Sequence, residues 1–244
     1  MDYLFFAILI VAVCLTVTRL PGIATRRNQA IATCGAALSI ALALMIPIVY
    51  KSIDGTFERT NFTDLFAKLA LFLAVNILGN QLARGLRSKK ALLRIGGFQG
   101  RLVFILAFVL EMVLFAFTRT PESSPGLELY QTEPLVITYT GVAVGYIAYV
   151  CSCLLPPLVR QFKAANTKHL RTATAFLIIG FGLVIVRACL VFVGIPYPGI
   201  YDAAQGISLL SALCVITGLT VFWRVLRMYG EPAIQHQSAL RDEL

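Results

Sequence analysis

Charge is scarce in this chain: Asp, Glu, Lys and Arg make up 14% of its 244 residues, against 58% hydrophobic residues and a mean hydropathy of +0.81. That balance excludes an ordinary soluble domain, in which about 25% of residues are charged. Histidine is scarcer still. His169 and His236 both fall outside the long apolar runs, so no such run carries an imidazole for metal binding or proton transfer. No Gly-rich loop ending in Lys-Ser or Lys-Thr is present to cradle a phosphate, and no Ser, His and Asp follow a nucleophilic motif. The expectation is a protein that is not an enzyme. The last apolar run contains no lysine, which excludes a retinal Schiff base there. Cys14, Cys34, Cys151, Cys153, Cys189 and Cys214 all sit inside apolar runs, where a thiol behaves as a small apolar side chain. Cys151 and Cys153 are spaced wrongly for a zinc knuckle, so no disulfide, metal or cofactor is expected.

Long hydrophobic runs dominate what is present. A bilayer core of about 30 Å needs roughly 20 apolar residues in a helix rising about 1.5 Å per residue. Seven stretches qualify: residues 3–18, 30–50, 65–82, 102–118, 135–155, 174–194 and 206–223. The fold class is therefore an all-α membrane protein, a bundle of seven transmembrane helices. Residues 1–223 form one membrane domain and residues 224–244 a short cytoplasmic tail. The first stretch lacks a basic leader segment and reads as a retained span rather than a cleaved signal.

Orientation follows from the basic residues, because Lys and Arg beside a span stay on the cytoplasmic side during insertion. Of the 21 Lys and Arg, sixteen fall on the first, third and fifth connections and the tail. Lys51, Arg59, Lys68 and Arg119 lie toward the opposite side, and Arg187 lies inside a span. This places the N-terminus outside, the C-terminus inside and the protein in the plasma membrane. The net charge of +9 is thus a topology signal and a source of attraction to anionic lipid at the cytoplasmic loops, above all at Arg84, Arg87, Lys89, Lys90, Arg94 and Arg101. It does not point to nucleic acid.

Charges within the spans are the candidate functional residues, since an ionisable group in hydrocarbon costs several kcal/mol or more unless paired or wetted. Glu111 in the fourth span and Arg187 in the sixth lie about 10–12 Å below the same boundary, a depth compatible with an ion pair. Three readings fit. The pair is a structural salt bridge, or Glu111 takes up a proton or cation, or Arg187 extends alone toward the outer surface. Asn76 and Asn80 share one face of the third span, with Lys68 near its outer end expected to reach outward. The fifth span carries Gly141, Gly145, Ala148 and Ser152 as a small-residue stripe suited to a close helix contact, and Tyr139, Tyr146 and Tyr149 at helical spacing. With Asn76 and Asn80, these tyrosines would line a polar path, although interhelical packing accounts for them equally. Pro47 should bend the second span and Pro156-Pro157 should end the fifth. Asn61 reads as the N-terminal cap of the third span and Asp64 as a charge favouring its N-terminus, with Asp202 in the same part for the seventh.

The seven-span order, Ile53-Asp54 followed by residues 61–65, and the basic connection 84–101 resemble a group of uncharacterised actinobacterial seven-span membrane proteins labelled transporters. Longer members continue into a cytoplasmic domain, where this chain has about twenty residues after Trp223. The resemblance implies a plasma-membrane protein, and a small-solute or ion transporter by analogy alone. A sensory or scaffolding module signalling to a cytosolic protein partner is the alternative. The topology predicts that, in a cysteine-free background, Lys89→Cys reacts with a membrane-impermeant maleimide only after the cytoplasmic face is opened. Labelling of Lys89→Cys in intact cells would reverse the orientation.

Overall fold

The computed structural model describes residues 10, 13–14, 26–56, 61–118, 120–193, 203–204 and 206–222, and among them the chain is helical with no strand. Four helical stretches are long and apolar enough to cross a membrane: Phe62–Gly85, Lys89–Phe117, Pro134–Ala164 and Lys168–Val191. A fifth crossing results if the bent pair Thr33–Leu44 and Pro47–Thr56 counts as one span. The predicted first span lies almost wholly outside the described residues, and the predicted seventh is the shorter apolar helix Gly206–Phe222.

Helix α1 (Arg26–Leu44) packs chiefly on α3 (Phe62–Gly85), where the Cys34 thiol donates to the Ala74 carbonyl at 3.3 Å. Between them α2 (Pro47–Thr56) turns away from α1 by 86°. Pro47 has no N–H to continue α1, and the chain tightens first through Met45 N–H to Leu42 O and Ile46 N–H to Ala43 O. The predicted bend is thus a near right angle, and the predicted loop beyond Tyr50 is a helix lying across the direction of α1.

At the other end of α3 the chain reverses within a few residues. Arg87 takes a left-handed φ of 49°, with Ser88 N–H to Ala83 O and Arg87 N–H to Arg84 O satisfying the last carbonyls. Ser88 then caps α4 (Lys89–Gly96) by accepting from Ala91 N–H. Gly97 joins α4 to α5 (Phe98–Phe117) where a Cβ would strike the Leu93 carbonyl.

A 3-10 turn at Pro125–Tyr130 leads into α6 (Pro134–Ala164), which runs for 31 residues, about 46 Å. Pro156 and Pro157 do not end this helix as expected. Their missing N–H groups withdraw the helical donors to the carbonyls of Ser152 and Cys153, while Leu154 and Leu158 stay fully packed and hold this stretch of the helix in place. Helix α7 (Lys168–Val193) packs extensively on α6 and is met by α8 (Gly206–Phe222).

Lipid offers apolar side chains no reason to leave it, so helices associate through close packing and buried hydrogen bonds. Small residues mark those contacts. A Cβ on Gly79 of α3 would come within 2.6 Å of Val150 on α6, and one on Gly180 of α7 within 2.7 Å of Val215 on α8. Ser211 on α8 adds a buried hydrogen bond to the Gly180 carbonyl at 3.1 Å.

The predicted stripe on α6 behaves differently. Gly141 is buried, but Gly145 meets nothing within 4 Å and lines an apolar groove of about 280 Å³, and Ser152 is exposed. Small size permits close approach without requiring it, and here the close approach to α6 is made by Gly79 of α3 against Val150. We expect Gly79→Val to cost about 1–3 kcal/mol by overpacking, read as a lower melting temperature in detergent. Gly145→Ala should leave that temperature unchanged or raise it.

Candidate functional site

Helix α3 carries Asp64, Lys68, Phe72, Asn76 and Asn80 at four-residue intervals, which places them on one face. That face turns toward α5 and α6. At its N-terminal end Asp64 and Glu111 are completely buried, as is Tyr139, and Lys68 is 8% exposed. The Lys68 ammonium lies 3.1 Å from Asp64 Oδ2, 3.9 Å from Glu111 Oε1 and 3.4 Å from the centre of the Tyr139 ring. Acid four residues before base is the favourable order on a helix, and the ring face supplies further negative potential.

Among the described residues the cluster holds fewer cationic groups than carboxyl groups. Asp54 on α2 is also fully buried, and Tyr50 lies within electrostatic reach of both Asp54 and Asp64. Both oxygens of Asp54, Asp64 and Glu111, together with Lys68 Nζ and Tyr139 Oη, are buried without a well-formed hydrogen bond among the described residues. The contacts at Lys68 are therefore ion pairs rather than aligned hydrogen bonds. Burying such groups costs several kcal/mol each unless they are neutralised. No group of three His, Cys, Asp or Glu side chains among the described residues is arranged to hold a metal ion.

Asn61 closes the cluster from the loop side. It adopts a left-handed φ of 58°, and its side chain makes no cap hydrogen bond to α3, contrary to expectation. Its amide oxygen instead accepts from Tyr50 Oη at 2.8 Å and Ser124 N–H at 2.8 Å, while Nδ2 donates to the carbonyls of Glu122 at 2.9 Å and Thr120 at 3.3 Å. One buried amide thereby ties α2, the start of α3 and the loop before the 3-10 turn together. Leu127 from that turn packs fully buried with Leu65, Val136 and Tyr139.

About two helical turns further along α3, near 12 Å, lies a second polar group. Asn76 Nδ2 donates to Tyr146 Oη at 2.9 Å, and Asn80 Nδ2 donates to the Asn76 carbonyl at 2.9 Å and side-chain oxygen at 3.1 Å. Tyr149 stands apart, donating to the Arg94 carbonyl at 2.6 Å. Between the two groups sits an aromatic layer: the Tyr146 ring lies 5.0 Å from Phe72 and 5.7 Å from Phe104. Beyond Asn76 and Asn80 the bundle opens into a cleft of about 350 Å³ that reaches Gln81, Arg84 and Arg101. The residues expected to share one path are thus divided, with Tyr139 on the acid side and Asn76, Asn80 and Tyr146 on the amide side.

Glu111 is partnered differently from the expectation as well. Its described ion pair is with Lys68, and Arg187 Nε donates to Ser208 Oγ on α8 at 3.0 Å. Depth along the membrane sets height but not direction around the helix, and α5 turns Glu111 toward α3. Lys68 accordingly folds inward as counter-ion instead of reaching outward. The signal in the sequence was the Asp64–Lys68 spacing on the same face as Asn76. Asp202, read as a cap, lies outside the described residues.

No family model, curated protein or solved structure matches the chain. For the clasp we expect Asn61→Ala to cost about 1–3 kcal/mol for each buried partner it strands, seen as a lower melting temperature and faster proteolysis between residues 118 and 133. Asn61→Asp, which keeps the acceptor and loses the donors, should fall between it and the wild type.

Proposed function

We propose that the protein is a multi-pass carrier of a small solute or ion in the plasma membrane, crossing seven times with its N-terminus outside, and that Glu111 and Asp64 take up the coupling proton or cation beside Lys68. The observation that carries this reading is the excess, among the described residues, of buried carboxyl groups over ammonium groups around Lys68. One ammonium balances one carboxylate, and the remaining negative charge calls for a proton or a cation in a site of low dielectric constant. Transfer of that species changes the local charge, which is what a carrier needs to couple binding to movement.

The aromatic layer supports the same reading. A carrier must never be open to both sides at once, and Phe72, Tyr146 and Phe104 separate the acid cluster from the cleft at the opposite end. The role is non-enzymatic.

The Asn61 clasp favours a second reading, a sensory or scaffolding module in which displacement of the clasp shifts α3 and is passed to a cytosolic partner. Glu111→Gln discriminates the two. In proteoliposomes with an entrapped pH dye, screened against a panel of small solutes under an imposed pH gradient, the carrier reading expects Glu111→Gln to slow solute-linked proton movement by about tenfold or more. Movement at the wild-type rate, or none with any solute in the wild type, would favour the module instead.

A further inference from the structure

We propose that the cleft between α3, α4 and the start of α5 is a binding site for an oxyanion, a phosphate or phosphomonoester group, held by Arg84 and Arg101. Its volume of about 350 Å³ lies in the range of small-molecule sites, roughly 300–1,000 Å³. Arg84 and Arg101 line it together with the amide side chains of Asn76, Asn80 and Gln81. Ile77, Ile95 and Phe104 add an apolar wall for whatever carries the anion.

The charge is one-sided. Residues 84–101 contain Arg84, Arg87, Lys89, Lys90, Arg94 and Arg101 and no acid, and the carboxylates of the described ion pairs, Asp64 and Glu111, lie at the far end of the bundle beside Lys68. The two arginines of the cleft are therefore not neutralised by a carboxylate among the described residues. Arg101 is already oriented, since its Nε donates to the Gly96 carbonyl at 3.1 Å. A guanidinium held in this way presents its remaining N–H groups to oxygen acceptors in a fixed plane, and planar, paired donation is the geometry that phosphate oxygens accept.

The floor of the cleft is set as well. Asn80 is anchored to Asn76, and Asn76 to Tyr146, so the amides are held by their own network rather than free to collapse onto the arginines. Gly96 stands against Asn80, where a Cβ would collide with its side-chain oxygen, so the absence of a side chain keeps that wall clear. Arg84 and Arg101 are themselves exposed, and the cleft differs from the rest of the basic surface in carrying this anchored amide lining.

The same phosphate chemistry has two sources, the headgroup of a membrane phospholipid and a soluble phosphorylated solute. The test reads binding alone and needs no flux, so it stands or falls separately from the carrier reading. Full-length protein in a non-ionic detergent is titrated by calorimetry with inorganic phosphate and, separately, with a short-chain phosphatidate below its micellar concentration. Arg84→Gln/Arg101→Gln is compared with Lys89→Gln/Lys90→Gln, which removes the same charge from exposed positions outside the cleft, with melting temperatures confirming that both variants are folded.

We expect the arginine pair to weaken binding by about tenfold or more and the lysine pair to change it by about twofold at most. Binding of both ligands with that contrast supports a site open to soluble phosphate, and binding of phosphatidate alone with that contrast supports a lipid headgroup site. Equal losses in the two variants, or no binding of either ligand by the wild type, overturns the proposal.

Discussion

Lys68 is the charge on which the half of this bundle around the start of α3 depends. It contacts Asp64 on its own helix, Glu111 on α5 and the Tyr139 ring on α6, so one ammonium bridges three helices. Removing it would leave carboxylates in a medium that cannot solvate them, a penalty larger than the gain from any single apolar contact nearby. The helices that supply these groups are therefore positioned by electrostatic necessity at one end. At the other they are positioned by steric fit, through Gly79 against Val150.

That division has a structural consequence along α3. The same face that presents charge near Asp64 presents an aromatic ring at Phe72 and amides at Asn76 and Asn80. Each type needs a different environment: a neutralising partner, a packed neighbour, and a hydrogen-bonding network. The bundle supplies them in sequence, the acid cluster under the Asn61 clasp, the layer with Tyr146 and Phe104, then the amide-lined cleft beside Arg84 and Arg101. The acid cluster is buried among α3, α5 and α6, and the Asn76 and Asn80 amides face Tyr146 and the cleft, which is where polar groups inside an apolar bundle are tolerated.

The bends follow the same economy of partners. At Pro47 the lost N–H is taken up by a tightened turn and α2 swings across α1, delivering Tyr50 and Asp54 to the acid cluster. At Pro156 and Pro157 the lost donors fall in the last third of α6, where buried Leu154 and Leu158 keep the helix intact. A proline thus redirects the chain where there is a site for the next helix to complete, and is absorbed where packing already holds the helix.

Much of the architecture was legible in residue order alone. Hydrophobic runs of bilayer length specify apolar helices whatever their neighbours, because an unpaired backbone in lipid is too costly for anything else. The described residues carry four such helices, five with the bent pair, and Glu111, the isolated charge of its run, is fully buried with Lys68 nearby. Which partner was not legible. Glu111 pairs with Lys68 rather than Arg187, Asn61 fastens a loop rather than capping α3, and Gly145 faces an open groove while Gly79 makes the close contact. Sequence determines the length, burial tendency and helical face of each element, which are local properties of a chain with a known rise and period. Rotation of one helix against another is decided only when all of them pack, because it depends on the joint solution of sterics and charge over residues distant in the chain.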